Sequence, residues 1–305
     1  MDFDLNARQR ELLDRTEALI EQELIGAPPL DREFDARIFG LVREAGLLEV
    51  ARSGQPEALL DAVLVVERFS KAGVLAPIAL HTIFLPVLLD QDPSAVAAIA
   101  DASASAPVRF GGQAELLACG HGSDVVLYRI DPQSSNAVDS NYVYPMAVPG
   151  SKLGMPIAGT PGALAKRRHR IAIAAEAVGA MDAALEQVVT YLTHRKQFGR
   201  RLGSFQALHH RLAELSILLE SARWLTRDAA YKDTNEAAAL AAAFAANASR
   251  RFAWDVHQLA GAKGFTLEMG LYRHTLRSQI LSIEAGGAKA HALDAARLRW
   301  LSNAA

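Results

Sequence analysis

The sequence predicts a mainly α-helical protein with a short β interlude, and three patterns carry that reading. Apolar residues recur at helical spacing over long stretches in both halves of the chain. A central stretch switches to short β-branched and aromatic runs separated by Gly, Pro, Asn, Asp and Ser. Alanine is used heavily while aromatics supply only 7% of residues, which favours closely packed helices. We expect an N-terminal helical domain at 1–105, a short β region at 106–164 and a C-terminal antiparallel four-helix bundle at 165–305.

In the first part, Leu5, Leu12, Leu13, Leu19 and Ile20 form one apolar face, ended by Gly26 and Pro28-Pro29. Phe34 to Leu48 reads as a second helix stopped near Gly46, and Leu59 to Ala72 as a third. Pro77 to Leu89 is strongly apolar and reads as a fourth. In the second part, Val125 to Tyr128 and Tyr142-Val143-Tyr144 read as strands, with Gly122-Ser123-Asp124 as a turn and the polar run Asp131 to Ser140 as a flexible segment. In the third, Ala174, Val178, Met181, Leu185, Val188 and Leu192 are spaced 4, 3, 4, 3 and 4, one continuous stripe. Further helices start at Phe205, after the cap candidate Thr234, near Leu271 and at Ala288.

Composition bounds the function. A chain of 305 residues, half hydrophobic, with formal net charge −2, holds a sizeable core and has no broad basic surface for nucleic acid. The single cysteine, Cys119, allows no internal disulfide and reads as a small buried hydrophobe. The acidic start Met1-Asp-Phe-Asp-Leu has no apolar signal core, and no uncharged apolar run reaches the ~20 residues of a membrane span. We expect a cytoplasmic protein. His209 and His210 are adjacent on a helix and point apart, so we expect no metal site. His274 and His291 read as surface or packing residues, and Trp224, Trp254 and Trp300 as core or interface.

The densest chemistry lies between Tyr191 and Gln206. Arg195, Lys196, Arg200 and Arg201, two glycines and Phe198 sit between two helices, and Ser204 is placed to cap the second. Such a loop fits a phosphate as well as it fits a solvated turn. The run Arg195-Lys-Gln-Phe-Gly-Arg-Arg-Leu-Gly-Ser-Phe-Gln206 resembles the signature loop of the acyl-CoA dehydrogenase family, Arg-x-x-Phe-Gly-x-x-(Leu/Ile)-x-x-x-Gln. In that family the loop crosses a subunit interface to the pyrophosphate and adenine side of FAD. The resemblance therefore implies FAD contacts from Arg195, Gln197, Phe198 and Gln206. His257 to Thr266 is similar to the family's Gln-x-x-Gly-Gly-x-Gly-Phe segment and adds Gln258, Gly261 and Gly264. The expected fold is then acyl-CoA dehydrogenase-like, with a β region shorter than usual and without the family's Thr-Glu-x-x-x-Gly-Ser-Asp segment.

The catalytic base is where the sequence departs from the pattern. Counting on from Leu271-Tyr-Arg-His-Thr-Leu-Arg277, the family's Glu position falls on Ala285, and Glu284 is one residue early. The second base position used by some relatives falls on His169, inside the basic run Lys166 to Arg170. Three readings of Glu284 stand open: a displaced base, a solvated carboxylate, or an ion-pair partner of Lys289 or Arg277. The resemblance implies FAD-dependent α,β-dehydrogenation of an acyl-CoA thioester, with electron-transfer flavoprotein as acceptor, in a homodimer or tetramer. The abridged β region and missing base are also similar to short subunits of heteromeric dehydrogenases of bacterial steroid side-chain degradation. There a short chain pairs with a longer one in a heterotetramer. The alternative function is thus a non-catalytic partner that completes the FAD site of a longer chain.

Overall fold

A computed structural model of the chain describes residues 4–24, 31–100, 105–140, 143–150 and 153–301. The expected stop at Gly26 and Pro28-Pro29, and Tyr142, lie outside them. Helix α1 spans Ala7–Leu24, α2 spans Ala36–Glu44 and α3 spans Ala58–Lys71. Asp35 caps α2 by accepting the Ile38 N–H at 3.0 Å, and a 3₁₀ turn, Leu47–Arg52, follows.

The apolar stretch from Pro77 forms no fourth regular helix. It makes one wide turn over Leu80–Phe84 and a 3₁₀ turn over Leu85–Val87. Pro86 lacks the N–H that a continuing helix needs. His81 is also pinned in the interior, 2.6 Å from Asp92 and accepting the Ala97 N–H at 3.2 Å.

The central region holds β1 (Ala97–Ile99), β2 (Val108–Arg109), β3 (Leu116–His121), β4 (Asp124–Arg129), β5 (Asn136–Val138), β6 (Met146–Val148) and β7 (Pro156–Pro161). They form two small sheets, ordered β1-β3-β4-β7 and β2-β6-β5. Strand β4 contains the expected Val125–Tyr128 run, and Gly122, at φ 61°, turns β3 back into it. Val143 and Tyr144 are not paired in a strand. Tyr144 is buried, and its hydroxyl accepts from Arg277 Nε at 3.2 Å, so packing rather than pairing fixes it. The Asp131–Ser140 run, read as flexible, carries a 3₁₀ turn and β5. Cys119 is buried in β3.

The C-terminal part is a bundle of long helices. Helix α4 spans Gly162–His194, α5 Gln206–Lys232, α6 Asn235–Ala260, α7 Leu271–Ile283 and α8 Gly287–Ala296. Between α4 and α5 lies a hairpin of β8 (Lys196–Gln197) and β9 (Arg200–Arg201). Thr234 caps α6 through the Ala237 N–H at 3.2 Å, as its sequence position suggests. Ser204 does not cap α5. It closes a 3₁₀ turn, Leu202–Ser204, and its hydroxyl donates to the Arg201 carbonyl at 2.7 Å. The stripe Val178, Met181, Leu185, Val188 and Leu192 packs against Leu215 and Leu219 of α5 and Phe252 and Val256 of α6.

The two helical parts touch where α3 crosses α4. A Cβ on Gly179 would lie 2.5 Å from the Glu67 carbonyl oxygen and 2.8 Å from the Lys71 nitrogen, both backbone. Glu67, itself buried, then binds Arg227 of α5 at 2.9 Å. Gly179→Ala should therefore force the helices apart and destabilise the protein by about 1–3 kcal/mol in urea unfolding. An unchanged midpoint would show that the crossing yields. Among the described residues no helix is long and apolar enough to cross a membrane.

Candidate functional site

A cavity of about 510 Å³ lies where all three parts of the chain meet. Its walls are apolar, with Leu80, Ile99, Phe110, Met146 and Ile173 among them, and its polar groups are Arg109, His169, Glu176 and Glu284. Strand β2 brings Arg109, the first half of α4 brings His169 and Glu176, and the end of α7 brings Glu284.

Arg109 is clamped between the two carboxylates. Its Nε and Nη2 donate to Glu284 at 2.5 and 3.0 Å, and its Nη1 donates to Glu176 at 2.7 Å. The Tyr144 ring lies under the guanidinium, 4.7 Å away. Burial works to lower the Arg109 pKa, but Glu176 and Glu284 outweigh it and hold it well above the usual value. Burial likewise works to raise the Glu284 pKa, while the Arg109 charge and the nearby His169 bring it down to about 2. His169 Nε2 stands 3.6 Å from Glu284 Oε2, beyond hydrogen-bond reach, and among the described residues it has no hydrogen-bond partner. The two positions read from sequence as possible bases are thus neighbours in one cavity.

The backbone explains how Glu284 reaches it. Glu284 leaves α7 with extended ψ of 153°, and Ala285 turns at φ 52°, a region that non-glycine residues enter only at a cost. The offset from Ala285 therefore falls on a turn, where no helical rotation swings the carboxylate away. The ion-pair reading of Glu284 has its partner in Arg109, not in Lys289 or Arg277. A carboxylate held at about 2 by a bidentate cation is a weak proton acceptor.

The basic run Lys166 to Arg170 faces carboxylates of two other segments. Lys166 and Arg170 both bind Asp294 at 2.5 Å, and Arg168 binds Asp233 at 2.8 Å. His291 is fully buried and accepts from Arg170 Nε at 3.2 Å, so it serves packing rather than the surface. Trp254 and Trp300 are exposed, which leaves the interface reading and removes the core one.

The residues expected to contact a cofactor lie elsewhere. Arg195 begins the hairpin at the far end of α4, 26 residues beyond His169, about 39 Å along the helix. Because α4, α5 and α6 run up and down, the end of α6 returns to that hairpin. Gln258, Gly261 and Gly264 therefore share its end of the bundle with Arg195, Gln197, Phe198 and Gln206. Phe198 and Gly199 form a two-residue turn with φ of 54° and 76°. Stability alone would favour Asn or Gly at the first position, yet a phenylalanine stands there, 85% exposed. Arg200 stacks on Phe205 at 3.9 Å. Among the described residues no carboxylate lies within 4 Å of Arg195, Lys196, Arg200 or Arg201. An anion with a flat aromatic portion suits that donor set.

Residues 166–298 match the acyl-CoA dehydrogenase C-terminal domain. Over those residues the chain belongs to the acyl-CoA dehydrogenase C-terminal domain family. It is 29% identical to acyl-CoA dehydrogenase IpdE2 of Mycobacterium tuberculosis over 263 residues, 81% of this chain and 82% of that one. It is 30% identical to the mitochondrial short-chain specific acyl-CoA dehydrogenase of Bos taurus over 233 residues, 64% of this chain and 57% of that one. Against another curated relative the match spans 31% of that protein's length. Its fold is similar to that of a chain in the ChsE4-ChsE5 complex from Mycobacterium tuberculosis, with a TM-score of 0.77, 18% identity, and 97% of this chain and 98% of that chain covered.

Arg109 and Glu176 escaped the sequence reading of this acyl-CoA dehydrogenase relative. A signal existed for each: Arg109 interrupts an apolar run before Phe110, and Glu176 is a lone carboxylate among alanines. A buried charge of that kind requires a partner, but one sequence does not say which.

Proposed function

We propose that the chain acts in FAD-dependent α,β-dehydrogenation of an acyl-CoA thioester by lending its hairpin end to a flavin held by a neighbouring subunit. The separation along α4 carries this reading, because the flavin-side residues are too far from the chain's own cavity to serve it. Bound FAD supplies the hydride acceptor. Arg195 and its neighbouring cations would face the cofactor's phosphates, Phe198 its flat portion, and Gln258 with the loop from Gly261 to Gly264 would complete the cradle. A longer acyl-CoA dehydrogenase chain suits the neighbour best, since Glu284 is tied up by Arg109 and position 285 is alanine. The ChsE4-ChsE5 complex, which shares this fold, pairs two differently named chains and supports such an arrangement. Electron-transfer flavoprotein would take up the electrons.

A second reading keeps the chemistry in this chain. It is favoured by a carboxylate facing an apolar cavity of acyl-group size. Flavin absorbance decides for the first proposal. Arg195→Gln and Phe198→Asn alter exposed residues, so the fold should survive while the purified assembly loses its flavin band. Full flavin content in the double variant would remove the hairpin from cofactor binding. Bleaching of flavin by acyl-CoA in the chain purified alone, abolished by Glu284→Gln, would establish the second reading instead.

A further inference from the structure

A second cavity, of about 690 Å³, opens toward the other end of α7, between its first turns, the start of α2 and the loop after α3. It has no part in the flavin reading. Arg273, His274 and Arg277 line it. Their spacing of one and four positions puts them on one side of the helix.

These three side chains are short of partners. Arg277 is 2% exposed, and among the described residues its hydrogen bonds run from Nε to Tyr144 Oη and from Nη2 to Ser70 Oγ at 3.4 Å. Among the described residues its Nη1 has no hydrogen-bond partner, and no carboxylate lies within 4 Å of it. Arg273 Nε and His274 Nδ1 are likewise buried without a partner. A desolvated guanidinium without a counter-charge is costly unless an anion completes it. Burial, with the charges of Arg277 and Arg273, lowers the His274 pKa to about 4, so its imidazole is a neutral donor or acceptor rather than a third cation.

We propose that this cavity is a binding site for an organic monocarboxylate with an apolar body. The carboxylate seats against Arg277 and Arg273, whose planar forks match its two oxygens. The apolar body lies along Phe34, Val74, Leu75 and Met269. Glu33, Asp35 and Glu268 also line the cavity. Their charges oppose a second negative charge, which selects a monoanion over a phosphate dianion.

The test uses the purified full chain with sodium hexanoate as probe, and inorganic phosphate and chloride at matched ionic strength. Hexanoate should raise the melting temperature and shift the His274 imidazole resonances. Its Kd should rise about tenfold or more in Arg273→Met and in Arg277→Met, the loss expected for one charge-assisted contact. Arg273→Met keeps the test alive where Arg277→Met fails to fold, because Arg273 is only part-buried. Absence of a hexanoate effect at millimolar concentration overturns the proposal, as does equal affinity in Arg273→Met. A larger stabilisation by phosphate than by hexanoate overturns the monocarboxylate assignment.

Discussion

Arg109→Leu should cost about 3–5 kcal/mol of folding free energy, the usual penalty for removing one member of a buried ion cluster. The substitution leaves Glu176, with a side chain 5% exposed, and Glu284 side by side in an apolar cavity with no cation between them. The melting temperature should fall by roughly 10 °C in calorimetry. Adding Glu176→Gln and Glu284→Gln to Arg109→Leu should recover much of the loss, because amides carry no charge to strand. The same loss in the triple variant would mean that Arg109 acts by filling space. A loss below about 1 kcal/mol in the single variant would mean that water reaches the cluster and the charges are screened.

Acid should destabilise the protein in two stages, and the histidines set the first. His81, His257, His274 and His291 all have lowered pKa values, with burial the largest cause in each, and for His274 and His291 the value is about 4. The sign follows from the unfolded chain, where each histidine titrates near 6.5. Between about 6.5 and 4 the unfolded state binds protons that the folded state refuses, so stability is complete above that window and falls within it. One such proton changes stability by about 1.4 kcal/mol per pH unit, so His291 alone contributes on the order of 3 kcal/mol across the window. The second stage belongs to Glu284 and Asp294, both held at about 2 by their cations. Their contribution is present above about 4 and lost as pH falls toward 2. Urea midpoints at pH 8, 6 and 4.5 measure the first stage. Equal midpoints at pH 8 and 4.5 would sink it, and His274→Asn with His291→Asn should flatten the slope.

The helical pattern was legible because a buried face repeats every three or four residues along α3, α4, α5 and α6. The loop between α4 and α5 was legible because its sequence is specific, but its pairing into a hairpin was not. What escaped was long-range. Arg109 and Glu284 are 175 positions apart, and no local pattern reports that they touch. Wide turns after Pro77 looked helical, since a run of buried residues has no face to give its period away. Ser204 had the chemistry of a cap, but its hydroxyl was taken by the Arg201 carbonyl. Tyr144 looked like part of a strand because aromatic residues favour strands, whereas its hydroxyl bond to Arg277 decided its place.

The charged cluster also governs how the chain comes apart. Arg109 belongs to the β region, Glu176 to the bundle, and Ser70, whose hydroxyl donates to the Glu176 carbonyl at 2.6 Å, to the N-terminal helices. A cut near residue 164 would separate Arg109 and Ser70 on one fragment from Glu176 and Glu284 on the other, so neither fragment keeps the cluster. We therefore expect the three segments to fold as one cooperative unit, and the chain should melt in a single all-or-none transition in place of three.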